Sequence, residues 1–523
     1  MPHKRRAWLI GVVAGLAALT VIAAATAALR GSSSDTLTIV QFADPDTLDP
    51  AVSNDGVAGK VAQNIYDRLV RVSPDSKRVF PSLATKWTIS KNGLTYTFFL
   101  RRGVRFHDGS AFDAEAVRYS LRRLIAIGKG DSARYKAYLS PRNIKVVNDS
   151  TVRLRLSKPY GGLLTLLGYF SGGSIVSPSW VKSHATKGDP WATKYLVDHT
   201  NGTGAFKLNT WQRKQYIQLD RNDSYWRGPA KVARVVYKTV TDPSAARLQF
   251  ERGDIDVITN ISTDTFNALR RNRSVKVAAY PVLDNVFWVF NNKVKPFNDV
   301  RVRKALSHAV DYNGIMRLVG AGGTRMTGPL QPKLKEYNPN VPRYTRNVAR
   351  AKALLAQAGY RDGLTIQSTV VEYGDLKPIG QILQANFADI GVKLELKEQP
   401  FGPFLEDIAS GKAKMFPWVT NPPLADADAI MFPVFHSRAV HTTDGNYTSY
   451  ANRKADALLE KGRRSPNLAA RQRAHRQVQG VIVADAPWIF LYYRNNLQGW
   501  RSSVRGYYWP LVGVPDLWGV RKT

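Results

Sequence analysis

The sequence predicts an α/β protein built from two or three packed lobes. Its 523 residues are too many for one ordinary hydrophobic core, and 44% of them are hydrophobic. Near the N-terminus, an alternating β-branched segment at 36–40 precedes a loop and then apolar residues at helical spacing between 57 and 70. Farther along, 364–366, 378–390 and 392–396 have the patterns of a strand, a helix and a strand. That alternation favours a lobe with a largely parallel sheet.

A smaller β-rich domain is predicted between about residues 67 and 189. The segment 94–100 is rich in aromatic and β-branched residues and predicts a strand. Asp113 is a suitable N-cap for a helix over 114–127. In 152–156, apolar and basic residues alternate, which predicts a strand with one buried and one solvated face.

The N-terminal segment has the pattern of an export sequence. A basic group at 3–6 precedes an apolar run at 7–29, which at ~1.5 Å per helical residue reaches roughly 34 Å, enough to cross a ~30 Å hydrocarbon core. Ala25, Thr26 and Ala27 match the small-x-small cleavage pattern of a secretory signal. The segment fits both a cleaved signal and a membrane anchor, and the basic group predicts that the rest of the chain lies outside the cytoplasm.

The chain is strongly basic, with 75 Lys and Arg against 40 Asp and Glu and a formal net charge of +35. Such a charge attracts polyanions, but the basic residues are scattered and form no arginine-rich tail or nucleic-acid-binding motif. The distribution favours a solvated cationic surface near anionic lipid or cell wall, or an acidic ligand, and it predicts no nucleic-acid partner. Cysteine is absent, which excludes disulfides, thiolate metal sites and an acylated lipoprotein cysteine.

No catalytic motif is present, so we predict no catalytic residues, no metal site and no cofactor. The nucleophile-elbow, phosphate-loop, H-E-x-x-H and EF-hand patterns are all missing. His107, His436 and His441 have no second histidine or carboxylate at i, i+4 spacing, which favours structural roles over metal binding. Asp254 and Asp256 alternate in a segment that predicts an edge strand with a structural role.

Ordered sequence segments carry a family resemblance. The segments are 65–70, 81–87, 94–116, 204–208, 221–226, 248–257, 290–311, 351–360 and 484–491. In this order they resemble the bacterial extracellular solute-binding proteins of family 5, the binding proteins of oligopeptide, dipeptide and nickel ABC importers. The series extends from near residue 37 to the C-terminus.

The resemblance implies a type II periplasmic-binding-protein fold of the cluster C type, with two α/β lobes, a hinge and an extra β-rich domain. The implied divisions are 1–34 for the signal or anchor with its linker, 35–66, 190–283 and 486–523 for lobe I, 67–189 for the extra domain, and 284–485 for lobe II. The lobes of such proteins close over an extended ligand. A monomer that delivers its ligand to ABC permease subunits is therefore expected.

The resemblance also indicates where a ligand binds. The loop after Asp49 points to Asn54, Asp55 and Gly56, although the same loop fits simple capping of the following helix. The inner cleft strand of lobe II corresponds to Trp418, Val419, Thr420 and Asn421. Trp418 fits both ligand stacking and core packing.

One departure from the family concerns ligand charge. Peptide-binding members place an aspartate shortly after this tryptophan to pair with the ligand's α-ammonium, whereas the comparable position here is Asn421 or Pro423. Asp426 and Asp428 are candidate replacements from farther along the loop. Without them a buried ammonium loses its strongest partner, and a modified peptide, a sugar-like solute, a metal chelate or an acidic compound becomes the better expectation.

The predicted function is an extracytoplasmic receptor that captures an extended peptide or peptide-like ligand for an ABC-type importer. The alternative is a membrane-anchored receptor of the same fold that senses a ligand or binds the envelope without transport. A secreted hydrolase is disfavoured because no nucleophile and base are found. The two receptor hypotheses differ in whether a permease binds the protein.

Overall fold

The computed structural model describes residues 35–422, 424–440 and 445–523. The predicted signal or anchor at 1–34, Pro423 and His441 lie outside these ranges. Within them, no helix combines the length and apolar character that crossing a bilayer requires.

The strands are β1 Thr36–Gln41, β2 Val70–Val72, β3 Val79–Pro81, β4 Ala84–Ile89, β5 Thr95–Leu100, β6 Ile144–Asn148, β7 Thr151–Arg155, β8 Phe206–Gln212, β9 Tyr216–Arg221, β10 Arg234–Thr239, β11 Val257–Ile258, β12 Val275–Phe290, β13 Gly323–Arg325, β14 Leu364–Val370, β15 Val392–Glu398, β16 Met415–Thr420, β17 Trp488–Arg501, β18 Val504–Arg505 and β19 Arg521–Lys522. The α-helices are α1 Gly56–Ile65, α2 Ala114–Ile127, α3 Ser132–Lys136, α4 Leu163–Leu167, α5 Phe170–Gly173, α6 Pro178–Ser183, α7 Pro243–Arg252, α8 Thr263–Leu269, α9 Val300–Ala309, α10 Tyr312–Val319, α11 Val348–Gln357, α12 Leu376–Ala388, α13 Phe401–Ala409, α14 Ala427–Phe435, α15 Arg453–Arg464 and α16 Leu468–Asp485. The mixture confirms the predicted α/β class.

A central sheet connects two hydrophobic cores. Its strand order is β16-β12-β17-β11-β1-β10-β9-β8, with β13 also paired to β17. The first core includes Leu37, Val61, Phe98 and Phe206. The second includes Phe287, Trp288, Ile379, Phe435 and Trp488.

The long antiparallel strands β12 and β17 run from one core to the other. Their pairing extends from Val275 opposite Arg501 to Val289 opposite Trp488. The register shifts between Pro281 and Asn285, so regular pairing is interrupted near the middle of the ribbon. This irregular stretch lies where a hinge is expected.

The predicted β-rich domain contains the antiparallel sheet β4-β5-β7-β6 together with short helices. Asp113 caps α2 as predicted, because its carboxylate accepts a 2.8 Å hydrogen bond from the amide of Ala116. Gly128 ends α2 in a left-handed conformation with φ 77°. The buried residues of this domain and of the predicted lobe I form one continuous cluster, so the boundaries at 67 and 189 remain a prediction.

The predicted β-α-β unit of the second core is confirmed. Strands β14 and β15 pair in parallel, with Leu364 opposite Val392, and α12 connects them. The helix begins at Leu376 rather than at Pro378, which is tolerated because a proline in the first helical turn removes no intrahelical hydrogen bond.

Two further predicted elements differ from the observed ones. The helix predicted over 57–70 ends at Ile65, because Tyr66 is extended with φ −112° and ψ 140°. The predicted edge strand at 254–257 is wrong, because the short strand β11 lies between β1 and β17 in the sheet interior.

Asp256 helps to hold β11 within the sheet. Its carboxylate accepts a 2.8 Å hydrogen bond from the amide of Thr38 and lies 3.0 Å from the ammonium of Lys522. The segment is therefore held by a side chain as well as by ladder pairing. The structural role expected for Asp256 is confirmed, although its position in the sheet is not.

Candidate functional site

A cavity of about 320 Å³ lies where segments of the three predicted domains meet. We call it the interlobe cavity. Its lining comprises Gln63, Arg68, Arg71, Val72, Ser73, Pro74, Ser76, Thr165, Gly168, Tyr169, Leu424, Ala425, Gly506, Tyr508, Pro510, Val512, Val514, Asp516, Trp518 and Gly519. Val512 packs against both cores, which places this part of the C-terminal segment at the junction between them.

Two arginines and one aspartate carry the charge of the cavity wall. Arg68 is buried, and its Nη1 donates to the carbonyl oxygens of Tyr66 at 2.8 Å and Gln63 at 3.3 Å. The Nε of Arg68 has no hydrogen-bond partner. Burial lowers the pKa of both Arg68 and Arg71; Asp67 is the main opposing charge at Arg68, and Asp516 opposes the effect at Arg71. The wall thus combines apolar surface with two arginines and one aspartate.

The predicted ligand loop precedes α1, and Asn54, Asp55 and Gly56 are all exposed. Asp55 caps the helix, since one carboxylate oxygen accepts 2.8 Å hydrogen bonds from the amides of Val57 and Ala58. Asp55 therefore has the helix-capping role that was the alternative to ligand binding for this loop. Asn54 and Gly56 present their surface to solvent next to the cap.

A buried ion pair fixes the start of this loop. Both Nη atoms of Arg123, on α2, bind the two carboxylate oxygens of Asp49 at 2.6 Å. Arg123 also donates to the carbonyl of Trp191. Both side chains are almost fully buried. The loop leading to Asn54 is thus attached to the predicted β-rich domain by a bidentate contact.

The predicted cleft strand is β16, at the edge of the central sheet. Trp418, Val419 and Thr420 are partly buried and Asn421 is exposed. The Trp418 ring lies 5.4 Å from Tyr447 and 6.4 Å from Phe404, measured between ring centroids. Trp418 therefore packs on aromatic neighbours and keeps part of its surface accessible.

Two polar atoms without hydrogen-bond partners lie near Trp418, one on the predicted cleft residue Thr420 and one on Asn285, which no sequence pattern had singled out. Thr420 stands opposite Asn285 of β12. The Oγ1 of Thr420 and the Oδ1 of Asn285 are both buried without hydrogen-bond partners, while the Nδ2 of Asn285 donates to the carbonyl of Pro329 at 2.9 Å. Buried polar atoms usually have a partner, so this pair is a candidate contact for a ligand or a bound water.

Asp426 and Asp428 lie farther along the loop and are already paired. Arg471 binds both carboxylate oxygens of Asp426 through Nη2, at 2.6 and 2.8 Å, and Asp426 also caps α14. Arg463 binds the Asp428 carboxylate through Nε at 2.9 and 3.1 Å. Burial alone would raise the pKa of Asp426, but Arg471 lowers it to about 2. Both carboxylates are buried and are occupied by arginines.

Two of the three histidines that the sequence singled out, His107 and His436, have structural contacts. The Nε2 of His107 lies 3.1 Å from the carbonyl oxygen of Gly204, and burial lowers the pKa of His107 to about 4, so the neutral ring donates to that carbonyl. The Nδ1 of the buried His436 accepts from the amide of Arg438 at 3.1 Å. Among the described residues, no group of three or more histidines and carboxylates is arranged to hold a metal ion.

The paired strands β12 and β17 carry a buried aspartate, Asp284, whose pKa is raised. Asp284 on β12 lies 3.5 Å from Arg494 on β17. Burial raises the pKa of Asp284 from 3.8 to about 6, against the opposing effect of Arg494. The folded state thus binds a proton more readily than the unfolded chain between these two pH values.

Replacing Asp284 by asparagine is expected to stabilise the protein at neutral pH. The native carboxylate is ionised above pH 6 in a site that disfavours its charge, so its contribution to stability falls as pH rises from about 4 to 6. The variant should be about 1–3 kcal/mol more stable than the native protein near pH 7.5 and equal to it near pH 4. Thermal unfolding across this range measures the difference. Asp389→Asn, at an exposed pair with Arg346, is the matched control, and its stability relative to the native protein should not change between pH 4 and 7.5. An equal pH profile for both variants would contradict the raised pKa of Asp284.

Comparison with known proteins shows the family to which this chain belongs. Residues 78–442 match the model described as "Bacterial extracellular solute-binding proteins, family 5 Middle". The chain is 29% identical over 486 residues to the probable D,D-dipeptide-binding periplasmic protein of Escherichia coli, covering 90% of this chain and 91% of that protein.

Solved structures of related proteins have the same fold as this chain. HbpA2 from Haemophilus parasuis superposes with a TM-score of 0.84 at 26% identity, covering 93% of this chain and 100% of that one. The ABC transporter-associated periplasmic binding protein DppA from Helicobacter pylori, in complex with the peptide STSA, gives a TM-score of 0.76 at 26% identity and covers 93% of this chain and 98% of that one. The type II periplasmic-binding-protein fold expected from the sequence is confirmed. The protein belongs to the bacterial extracellular solute-binding proteins of family 5.

Proposed function

We propose that this protein is the extracytoplasmic receptor of an ABC-type importer, which captures an extended peptide-like ligand between its lobes and delivers it to the membrane permease. The observation that carries the proposal is the pair of continuous strands β12 and β17 joining two cores, with the accessible Trp418 strand and the interlobe cavity at their junction. Such a ribbon lets two rigid bodies close over a ligand. The names of the related proteins support an importer role for this chain.

The edge position of β16 supports recognition of an extended backbone. The strand pairs with β12 on one side, through Trp418 opposite Phe287 and Thr420 opposite Asn285. At the Met415 end the strand lies near β14, whose Ser368 hydroxyl donates to the Met415 carbonyl. A ligand in extended conformation can pair with the rest of the outer edge, around Trp418 and Thr420, through main-chain hydrogen bonds that depend little on its side chains. The buried oxygens of Thr420 and Asn285, which lack hydrogen-bond partners, lie on the adjoining pair of strands β16 and β12.

The charges favour a ligand without an exposed α-ammonium. Asn421 is neutral, and Asp426 and Asp428 are buried against Arg471 and Arg463. The interlobe cavity instead presents Arg68 and Arg71. We therefore propose a modified or carboxylate-bearing peptide-like compound as the ligand class, in preference to an ordinary peptide with a free N-terminus.

Native mass spectrometry tests this proposal. The protein is purified from a host grown in rich medium, and any bound species is released and identified. Recovery of carboxylate-bearing or N-blocked peptide-like species is expected, and such a ligand should raise the thermal midpoint when added back. Recovery of ordinary short peptides with free N-termini would contradict the ligand class, whereas a non-peptide solute would contradict the peptide-like reading itself.

The partner and the membrane attachment need a separate test. We propose that the receptor is a monomer that binds ABC permease subunits and that residues 7–29 serve as its signal or anchor. Co-purification of the full-length protein from native membranes should recover permease subunits. Recovery of a ligand-bound protein without any permease would favour the alternative of a sensing or envelope receptor.

Trp418→Ala is expected to weaken ligand binding by about tenfold to a hundredfold, because an aromatic anchor at a buried contact typically contributes 1–3 kcal/mol. Isothermal titration with the recovered ligand measures the change. Trp180→Ala, on α6, is the matched aromatic control and should change the affinity by less than about twofold. Equal affinity of Trp418→Ala and the native protein would assign Trp418 to packing alone.

A further inference from the structure

The outward face of the sheet β4-β5-β7-β6 is basic. None of these four strands contains an aspartate or a glutamate. On β7, Val152 and Leu154 are buried while Arg153 and Arg155 are exposed. Lys145 of β6 stands directly opposite Arg153 and is also exposed. Two like charges thus occupy facing positions on neighbouring strands.

A groove continues this charge around the edge of the sheet. It has a volume of about 360 Å³ between α2 and β6, and it is lined by Arg118, Arg122, Pro141, Arg142, Ile144, Lys145 and Val146. Lys145 belongs to both the groove and the sheet face. No carboxylate takes part in the lining, so cations and apolar carbon form its walls.

These cations are poorly neutralised within the described residues. Arg118 pairs with Glu115 at 2.6 Å, yet its Nε is buried without a hydrogen-bond acceptor. Ion-pair partners are absent for Arg122, Arg142, Lys145, Arg153 and Arg155 in the part of the chain that the structure describes. Like charges directly opposite on adjacent strands are destabilising. An anion bound here would relieve that repulsion.

We propose that Arg118, Arg122, Arg142, Lys145, Arg153 and Arg155 form a binding surface, the basic groove, for a linear phosphate-bearing polyanion outside the cell. Five of the six residues are arginines, whose planar guanidinium binds phosphate oxygens in pairs. The cations follow a concave groove and then a strand, which suits a chain-like polymer better than a planar bilayer. The groove is formed by residues other than those of the interlobe cavity, so both can be occupied together.

The test compares two variants with equal charge loss. The groove variant carries Arg122→Gln, Lys145→Gln, Arg153→Gln and Arg155→Gln, all at exposed positions. The control variant carries Arg252→Gln, Lys352→Gln, Arg361→Gln and Lys454→Gln, which are exposed elsewhere. Titration with long-chain inorganic polyphosphate over a salt series gives Kd and its salt dependence. Circular dichroism and thermal unfolding verify that both variants are folded.

The groove variant should bind polyphosphate at least about tenfold more weakly than the native protein and with a shallower dependence of log Kd on log salt, because fewer counterions are released. The control variant should stay within about twofold. An equal loss in both variants would overturn the proposal in favour of attraction by net charge. Absence of polyphosphate binding at low salt, or groove-dependent binding only to vesicles of phosphatidylglycerol and phosphatidylcholine, would also overturn it.

Discussion

Replacing Arg471 by methionine is expected to lower the free energy of unfolding by about 3–5 kcal/mol, because it leaves buried carboxylates without their partner. Arg471 binds Asp426 at 2.6 and 2.8 Å and Glu336 at 3.4 Å, and all three side chains are almost fully buried. Gly161 packs directly against the Arg471 side chain. Chemical and thermal unfolding should both report the loss.

The pH dependence distinguishes lost charge pairing from lost packing. In the native protein the contribution of Asp426 is present above its unfolded pKa of 3.8 and is lost as pH falls through the folded value of about 2. Without Arg471, burial raises the pKa of Asp426, so the deficit of the variant should shrink on acidification. Arg473→Met, exposed on the same helix, is the control and should change stability by less than about 0.5 kcal/mol. A pH-independent deficit would point to packing.

Asp49→Asn is expected to destabilise the protein by about 3–5 kcal/mol and also to weaken ligand binding. The substitution leaves Arg123 buried with a neutral partner in place of a bidentate carboxylate. It also loosens the loop that leads to Asn54, because the asparagine Nδ2 is a donor that faces the Nη2 donor of Arg123 where a carboxylate oxygen now accepts. Thermal unfolding measures the first effect and ligand titration the second.

Glu115→Gln provides the matched control on the same helix. It breaks the partly exposed pair with Arg118, and exposed pairs contribute only about 0–1 kcal/mol. The control should keep its ligand affinity. If Asp49→Asn lowers stability but leaves the affinity unchanged, the loop before α1 is not part of the ligand site.

Local signals made much of the fold predictable. Asp113 and Gly128 mark the ends of α2, and their roles depend only on residues within one helical turn. The unit formed by β14, α12 and β15 was predictable for a similar reason, since a parallel pair needs a crossover of helical length. The segments that resemble the family made the fold of the rest of the chain predictable as well.

The candidate site was less predictable because its partners come from distant segments. From the sequence alone, Asp426 and Asp428 could equally bind a ligand. Their partners, Arg471 and Arg463, are distant in sequence and become visible only in the folded structure. Arg68 lies in a helix-to-strand connection whose pattern gives no sign of a cavity. The facing pair of Thr420 and Asn285 depends on a strand register separated by more than a hundred residues of sequence.

The position of β17 has a consequence for how the chain acquires its structure during synthesis and export. This strand, Trp488–Arg501, follows every other strand of the central sheet in chain order, yet it lies inside the sheet and pairs with β11, β12 and β13. The central sheet cannot be complete before those residues are available, and pairing over such sequence separations is slow. The central sheet therefore stays incomplete until β17 has been synthesised, which suits the export that we propose for this chain.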